Sequence, residues 1–181
     1  MKDDAKILIF HGYGSSCENP RYKNLQYDSI CQDIDYSSSS WEDVYSIFDS
    51  IIIKNLFQKE NLILLGHSLG GWWARYFAKK YNLTAILLNP VLYFPIPISI
   101  NNKEYENYEK NQIYFDYNSD CELWYYIELG DEVINYSPSL LELIRKEGTV
   151  ITISGGHHRI QYPEMISYLV NRAIREQGTT I

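Results

Sequence analysis

A glycine-serine-glycine turn between two apolar segments is the feature that most constrains this chain. The turn reads G-x-S-x-G, from Gly66 through Ser68 to Gly70, within the segment LILLGHSLGG. An apolar run at 62–65 precedes it directly, and a helical pattern begins at Leu69. Side chains two residues before and two residues after the serine would collide in so tight a turn, so glycine is needed there. The pattern therefore predicts a strand, a sharp turn and a helix, with the serine hydroxyl exposed at the edge of a sheet.

Short apolar runs and helical patterns alternate along the rest of the chain, which predicts a parallel sheet with helices on both faces. We expect about six mostly parallel strands in one domain, residues 1–181. The prolines and asparagines at 90–118 interrupt the rhythm and predict a minimal cap over one end of the sheet. The predicted strands are 6–10, 28–34, 62–65, 84–88, 123–129 and 149–153, and the predicted helices are 41–55, 69–81, 139–147 and 163–176.

Charge and composition exclude several kinds of partner. The net charge is −7, which argues against nucleic acid or an anionic membrane as a partner, because both bind a basic face. No stretch approaches the ~20 apolar residues of a membrane span, and the first residues do not form a secretory signal. The three cysteines have no metal-site spacing, so we expect reduced thiols in a cytoplasmic protein.

A serine on such a turn is predicted to be a nucleophile, and it then needs a base and an acid from later in the chain. This order, Ser then Asp or Glu then His, is that of α/β-hydrolases. The histidines after Ser68 are His157 and His158, both in the loop after the last predicted strand. Gly155 and Gly156 would let that loop turn toward the serine. The residues alone do not separate the two histidines.

The acid is expected in the loop after the preceding strand, where Asp131 and Glu132 stand side by side. A carboxylate there would orient the imidazole and stabilise its charged form. Asp131 is favoured because it directly follows a glycine. Asp116 and Asp120 are weaker alternatives because they precede the strand.

Two backbone N–H groups are predicted to bind the oxyanion of an acyl transfer reaction. The first is that of Leu69, at the N-terminus of the helix that follows the turn. The second is that of Tyr13 after the first strand, with Gly12 allowing a close approach. His11 is expected to be a packing residue, and His67 a neighbour of the site rather than its base.

Together these motifs resemble the YqiA-type esterases, a small bacterial branch of the α/β-hydrolases. The resemblance covers most of the chain and is carried by residues 9–16, 65–72, 85–90, 130–136 and 155–158. It implies that His158 is the base, as the last residue of the family's GG-x-H segment, and that Asp131 is the acid. The family commonly has an aromatic residue shortly after this histidine, where this chain has Arg159 and Ile160. Residues 93–118 match poorly, so the resemblance implies nothing about the substrate's identity.

The resulting hypothesis is a serine esterase that acts on a small-molecule ester through an acyl-enzyme intermediate. The resemblance implies no cofactor, and no metal site is predicted. One alternative is a thioesterase or acyltransferase that uses the same three residues, because fold does not determine reaction. A further alternative is a non-catalytic binding protein built on the same scaffold, although such relatives usually lose the serine or the histidine.

Overall fold

The computed structural model describes residues 5–23, 25–93, 107–111 and 120–177. Its strands and helices alternate along the chain as β1 (Ala5–Phe10), α1 (Pro20–Lys23), β2 (Ser29–Cys31), α2 (Trp41–Phe57), β3 (Asn61–His67), α3 (Leu69–Tyr81), β4 (Thr84–Leu88), β5 (Leu123–Glu128), α4 (Pro138–Glu147), β6 (Thr149–Ile153) and α5 (Glu164–Gln177). None of the helices in these ranges is long and apolar enough to cross a membrane.

The strands form one sheet in the order β2-β1-β3-β4-β5-β6, and every neighbouring pair is parallel. The predicted parallel α/β sheet is therefore confirmed. Because all six strands run the same way, the loops that follow them meet at one edge of the sheet. The loops after β1, β3, β5 and β6 all carry residues that the sequence singled out.

Alternate side chains of each strand build two cores, one on each face of the sheet. In β1, Leu8 and Phe10 point into the larger core, which contains the buried faces of α2 and α3. Ile7 and Ile9 point into the smaller core, which is covered mainly by α5. Strands that are buried on both faces read as continuous apolar runs, which explains the LILL and AILL segments.

Helices α2 and α4 each begin at a serine whose side chain caps the first turn. The side chain of Ser40 accepts a hydrogen bond from the backbone N–H of Asp43 at the start of α2. Ser137 accepts one from the N–H of Leu140 at the start of α4, where Pro138 occupies the first turn.

The observed elements differ from the prediction in a few places. The strand predicted at 28–34 is reduced to three residues, Ser29–Cys31, and the short helix α1 forms where no helix was predicted. Most of the predicted cap at 90–118 lies outside the described residues. In its described part, Tyr108 is buried and its ring contacts those of Trp72 and Trp73 edge-on.

The expectation of three reduced cysteines is wrong. Cys17 and Cys31 form a disulfide, with their Cα atoms 5.7 Å apart. The two cysteines are 14 positions apart in the sequence, so no local spacing pattern indicates that they are adjacent. Because β2 lies beside β1, with Cys31 paired to Ile9, the end of β2 meets the loop that follows β1. The cytoplasmic location stays a prediction.

The aromatic side of α2 should carry much of the stability of the larger core. Phe48 is fully buried, with its ring centroid 4.3 Å from that of Phe10, whereas Phe57 on the same helix is 89% exposed. Phe48→Ala is expected to lower the free energy of unfolding by about 3–5 kcal/mol, because it removes apolar contacts and leaves a cavity. Phe57→Ala should change it by less than about 0.5 kcal/mol. Urea unfolding measures both, and equal losses would contradict this packing.

Candidate active site

The turn between β3 and α3 holds Ser68 in a backbone conformation that is unusual for a residue with a side chain, with φ of 55° and ψ of −121°. The flanking glycines make this turn possible. A Cβ on Gly66 would lie 2.3 Å from the carbonyl oxygen of Gly70, and a Cβ on Gly70 would lie 2.0 Å from that of Phe10 in β1. The predicted need for glycine at both positions therefore has a direct steric cause. Strain of this kind is typical of functional turns.

The side chains of Ser68, His158 and Asp131 form a continuous hydrogen-bonded chain. The Ser68 Oγ lies 2.8 Å from the Nε2 of His158. The Nδ1 of the same imidazole lies 2.8 Å from the Oδ2 of Asp131. Since the carboxylate can only accept, Nδ1 carries the hydrogen and Nε2 is left to accept from the hydroxyl. These three residues were predicted from the sequence and lie in three separate loops, and the structure brings their side chains together.

The alternatives left open by the residues lie elsewhere. His157 points its imidazole outward, 3.6 Å from Glu132, with about two thirds of its side chain exposed. Glu132 accepts a hydrogen bond from the backbone N–H of His158 rather than from its ring. Asp120 is exposed, and Asp116 lies outside the described residues.

Asp131 is held in place by its own loop. Its Oδ1 accepts hydrogen bonds of 2.8 Å from the backbone N–H groups of Val133 and Ile134. Its side chain is only 1% exposed. Since Oδ1 is occupied by the backbone, Oδ2 is directed to His158.

A buried carboxylate, Glu128, anchors the loop that carries His158. Glu128 is the last residue of β5 and is fully buried. It accepts hydrogen bonds from the backbone N–H of His157 at 2.7 Å and from that of Gln161 at 2.8 Å. Gly156, whose φ is +84°, is required here because a Cβ would lie 2.3 Å from the Glu128 Oε2. The carboxylate therefore fixes the loop on both sides of His158.

Asn89 provides a second anchor for the same loop. It is buried directly after β4, its Nδ2 donates to the carbonyl of His157 at 3.0 Å, and its Oδ1 accepts from the N–H of Glu128 at 2.8 Å. The amide thus ties the last residue of β5 to the histidine loop.

His67 provides a third anchor, from inside the turn. Its Nε2 donates to the backbone carbonyl of His158 at 2.6 Å. Burial, assisted by the neighbouring His158 ring, lowers the pKa of His67 from 6.5 to about 3. His67 is therefore neutral at pH 7 and acts as a hydrogen-bond donor, in agreement with its prediction as a neighbour of the site.

The predicted oxyanion donors lie on either side of the serine. Leu69 is the first residue of α3, so its N–H has no carbonyl of the same helix to bind. Tyr13 lines the cavity that contains Ser68 and His158, which has a volume of about 290 Å³. A Cβ on Gly12 would lie 3.2 Å from that of Ser68, so this loop runs in contact with the serine.

His11 is more than a packing residue. Its imidazole is fully buried and bridges two segments: its Nδ1 donates to the carbonyl of Gly12, and its Nε2 accepts from the N–H of Ile34, both at 2.9 Å. It therefore supports the loop that presents Tyr13. Among the described residues, no group of three histidine, cysteine or acidic side chains is arranged to hold a metal ion.

Comparison with solved structures identifies the fold as that of the α/β-hydrolases. The esterase Est1E from Butyrivibrio proteoclasticus, solved with ferulic acid, superposes with a TM-score of 0.76 at 14% identity, over 96% of this chain and 89% of that chain. A structure of the metagenome-derived lipolytic enzymes LipS and LipT gives a TM-score of 0.74 at 13% identity, over 96% and 94%. A monoacylglycerol lipase from Paleococcus ferrophilus gives 0.67 at 15% identity, over 94% of each chain.

Sequence comparison places the chain in a family. The chain belongs to the uncharacterised protein family UPF0227, whose profile matches residues 6–164. This is the YqiA family, so the predicted resemblance to YqiA-type esterases is confirmed. No curated protein matches the sequence.

Sequence reasoning missed the supporting residues Glu128, Asn89 and His11. Each is a fully buried polar residue at the carboxyl end of a strand or directly after it. One sequence signal could have identified these residues. Each is a polar side chain at the end of an otherwise apolar run, on the edge of the sheet that carries the site. A buried polar group has to be hydrogen-bonded, and here the partners are the loops of the site.

Because His67 is buried and neutral, the free energy of unfolding should depend on pH. Below pH 6.5 the unfolded chain binds a proton at this residue, which the folded protein excludes down to about pH 3. Stability is therefore lost as the pH falls through this window, by about 1.4 kcal/mol per pH unit from this residue. In His67→Gln that component should disappear, so the free energy of unfolding falls less steeply between pH 6 and 4. Urea unfolding across this range measures the slope.

The matched control is His157→Gln, which removes an exposed histidine and leaves the buried one in place. Its slope should remain steeper than that of His67→Gln, because the buried histidine is still present. Equal slopes in His67→Gln and the wild type would show that residue 67 takes up a proton in the folded protein over the same pH range as in the unfolded chain.

Proposed function

We propose that this protein is a serine esterase that hydrolyses carboxylic esters of small molecules through an acyl-enzyme intermediate on Ser68. The observation that carries the proposal is the hydrogen-bonded chain from Ser68 through His158 to Asp131, with 2.8 Å at each contact. Its support also comes from membership of the YqiA-type esterase family and from a fold shared with esterases and lipases.

In the first half of the reaction, the Ser68 Oγ attacks the ester carbonyl carbon while the Nε2 of His158 takes the hydroxyl proton. The bond from oxygen to carbon forms, and the carbonyl electron pair moves onto the oxygen, which becomes an oxyanion. The N–H groups of Leu69 and Tyr13 would bind this oxyanion, aided by the positive end of the α3 dipole. When the tetrahedral species collapses, the alcohol leaves with the proton held by His158 and Ser68 remains acylated.

In the second half, water replaces the alcohol. His158 takes a proton from the water, whose oxygen attacks the acyl carbon, and the proton returns to the Ser68 Oγ as the carboxylic acid leaves. The Asp131 side chain orients the imidazole and stabilises the imidazolium that forms in each half. Thioester hydrolysis and acyl transfer would use the same residues and stay predictions.

Covalent labelling tests whether Ser68 is the nucleophile. A fluorophosphonate probe should label the wild type and leave Ser68→Ala unlabelled, because the phosphorus is attacked by the activated hydroxyl. Ser50→Ala, on the exposed part of α2, is the matched control and should label like the wild type. Equal labelling of Ser68→Ala, or none of the folded wild type, would contradict the proposal.

Replacing the acid tests its role in orienting the histidine. Asp131→Asn should lower kcat for ester hydrolysis by about 10⁴-fold, since an amide nitrogen facing Nδ1 favours the imidazole tautomer that cannot accept from Ser68. Glu132→Gln should lose no more than about tenfold, because that carboxylate bonds the backbone of His158 and not its imidazole. Kinetics with a p-nitrophenyl ester compare the two variants, and the reverse order would assign the acid to Glu132.

A further inference from the structure

Two arginines line the cavity that contains Ser68 and His158. Arg21 comes from α1 in the connection after β1, and Arg159 directly follows His158 in the loop after β6. Arg21 is half-buried and Arg159 is exposed. The two guanidinium groups thus reach one cavity of about 290 Å³ from two different loops, and none of the described residues that line it is acidic.

Neither guanidinium group forms an ion pair or a side-chain hydrogen bond within the part of the chain that the structure describes. Other cations of the chain do have such partners. Arg75 and Lys79 bind Glu147, and Lys80 binds Asp49. The chain carries 23 acidic residues against 16 lysines and arginines, so two unpaired arginines at one site are not a consequence of excess positive charge.

The two arginines place positive charge in this cavity, and their charges repel each other. Burial lowers the pKa of Arg21, and the positive charge of Arg159 lowers it further, against the opposing effects of Tyr22 and Glu128. His67 also lines the cavity but is neutral, so the positive charge there comes from the two arginines. A negative group placed between them would relieve this repulsion.

We propose that the natural substrate is an ester that carries an anionic group, a carboxylate or a phosphate, which Arg21 and Arg159 bind while Ser68 attacks the ester. This inference rests on the proposed esterase function. Guanidinium groups bind both anions with paired hydrogen bonds. Since the arginines and the Ser68 hydroxyl share one small cavity, the anion and the ester have to be parts of the same molecule.

Matched pairs of substrates test the inference. The members of each pair differ in charge and in the one or two methyl groups that remove it: 4-acetoxybenzoate against its methyl ester, p-nitrophenyl hemisuccinate against its methyl ester, and 4-acetoxyphenyl phosphate against its dimethyl ester. The anionic member of at least one pair should have a kcat/KM about tenfold higher or more than its neutral partner. That preference should shrink as salt rises from 0.05 to 0.5 M, because salt screens the attraction. The pairs also separate a carboxylate from a phosphate, and the acyl half from the alcohol half.

Charge-removing variants assign the preference to the two arginines. Arg21→Gln should lower the ratio of anionic to neutral kcat/KM by about tenfold, mainly through KM, and Arg21→Lys should keep part of it. Arg159→Gln should lower the ratio by about threefold, since an exposed charge contributes less. Lys23→Gln is the matched control: it removes an exposed cation from the same helix, one that pairs with Glu18 and does not line the cavity. It should leave both rates unchanged.

The outcomes separate this inference from the function on which it rests. Labelling of Ser68 and hydrolysis of neutral esters, with no preference for any anionic member, would overturn the anion inference and leave the esterase standing. A preference that survives in the Arg21→Gln, Arg159→Gln double variant would also overturn it. Failure to label Ser68 or to hydrolyse any ester would overturn both.

Discussion

The close contact between the turn after β3 and the backbone of β1 is the constraint on which the rest of the site depends. At Gly70 there is no room for even one carbon atom, because a Cβ would lie 2.0 Å from the carbonyl oxygen of Phe10. This contact lets α3 start directly from the end of β3. It therefore fixes the strained conformation of Ser68 and the direction of the N–H of Leu69. It also brings the loop after β1, with Gly12, against the serine.

The other half of the site depends on buried hydrogen bonds rather than on sterics. Three polar groups hold the backbone of the loop that carries His158: the carboxylate of Glu128, the amide of Asn89 and the imidazole of His67. A buried polar group without a partner costs stability, so these residues stabilise the loop only in the arrangement that satisfies them all. The imidazole of His158 is thereby placed before any substrate arrives, which is the condition for effective proton transfer.

Much of this arrangement could be predicted from the sequence, because it depends on local patterns. The boundaries of α3 and β4 follow from apolar periodicity and glycine placement, and the loops that carry Ser68, Asp131 and His158 follow from chain order and the parallel topology. The choice of His158 over His157 needed the family resemblance, because neighbouring residues in one loop differ only in the direction of their side chains. Contacts between distant segments could not be predicted, because no local sequence pattern indicates them. These contacts are the disulfide of Cys17 and Cys31 and the hydrogen bonds of Glu128 and Asn89.

The most direct test of the account is a crystal structure of the protein after reaction with a phosphonate ester, since this adduct mimics the tetrahedral species. If Ser68 is the nucleophile, a covalent bond should join the phosphorus to the Ser68 Oγ. A phosphonyl oxygen should then lie within about 3.1 Å of the N–H groups of both Leu69 and Tyr13. His158 should remain between the adduct and Asp131. An adduct on another residue, or a phosphonyl oxygen that contacts neither N–H, would contradict the account.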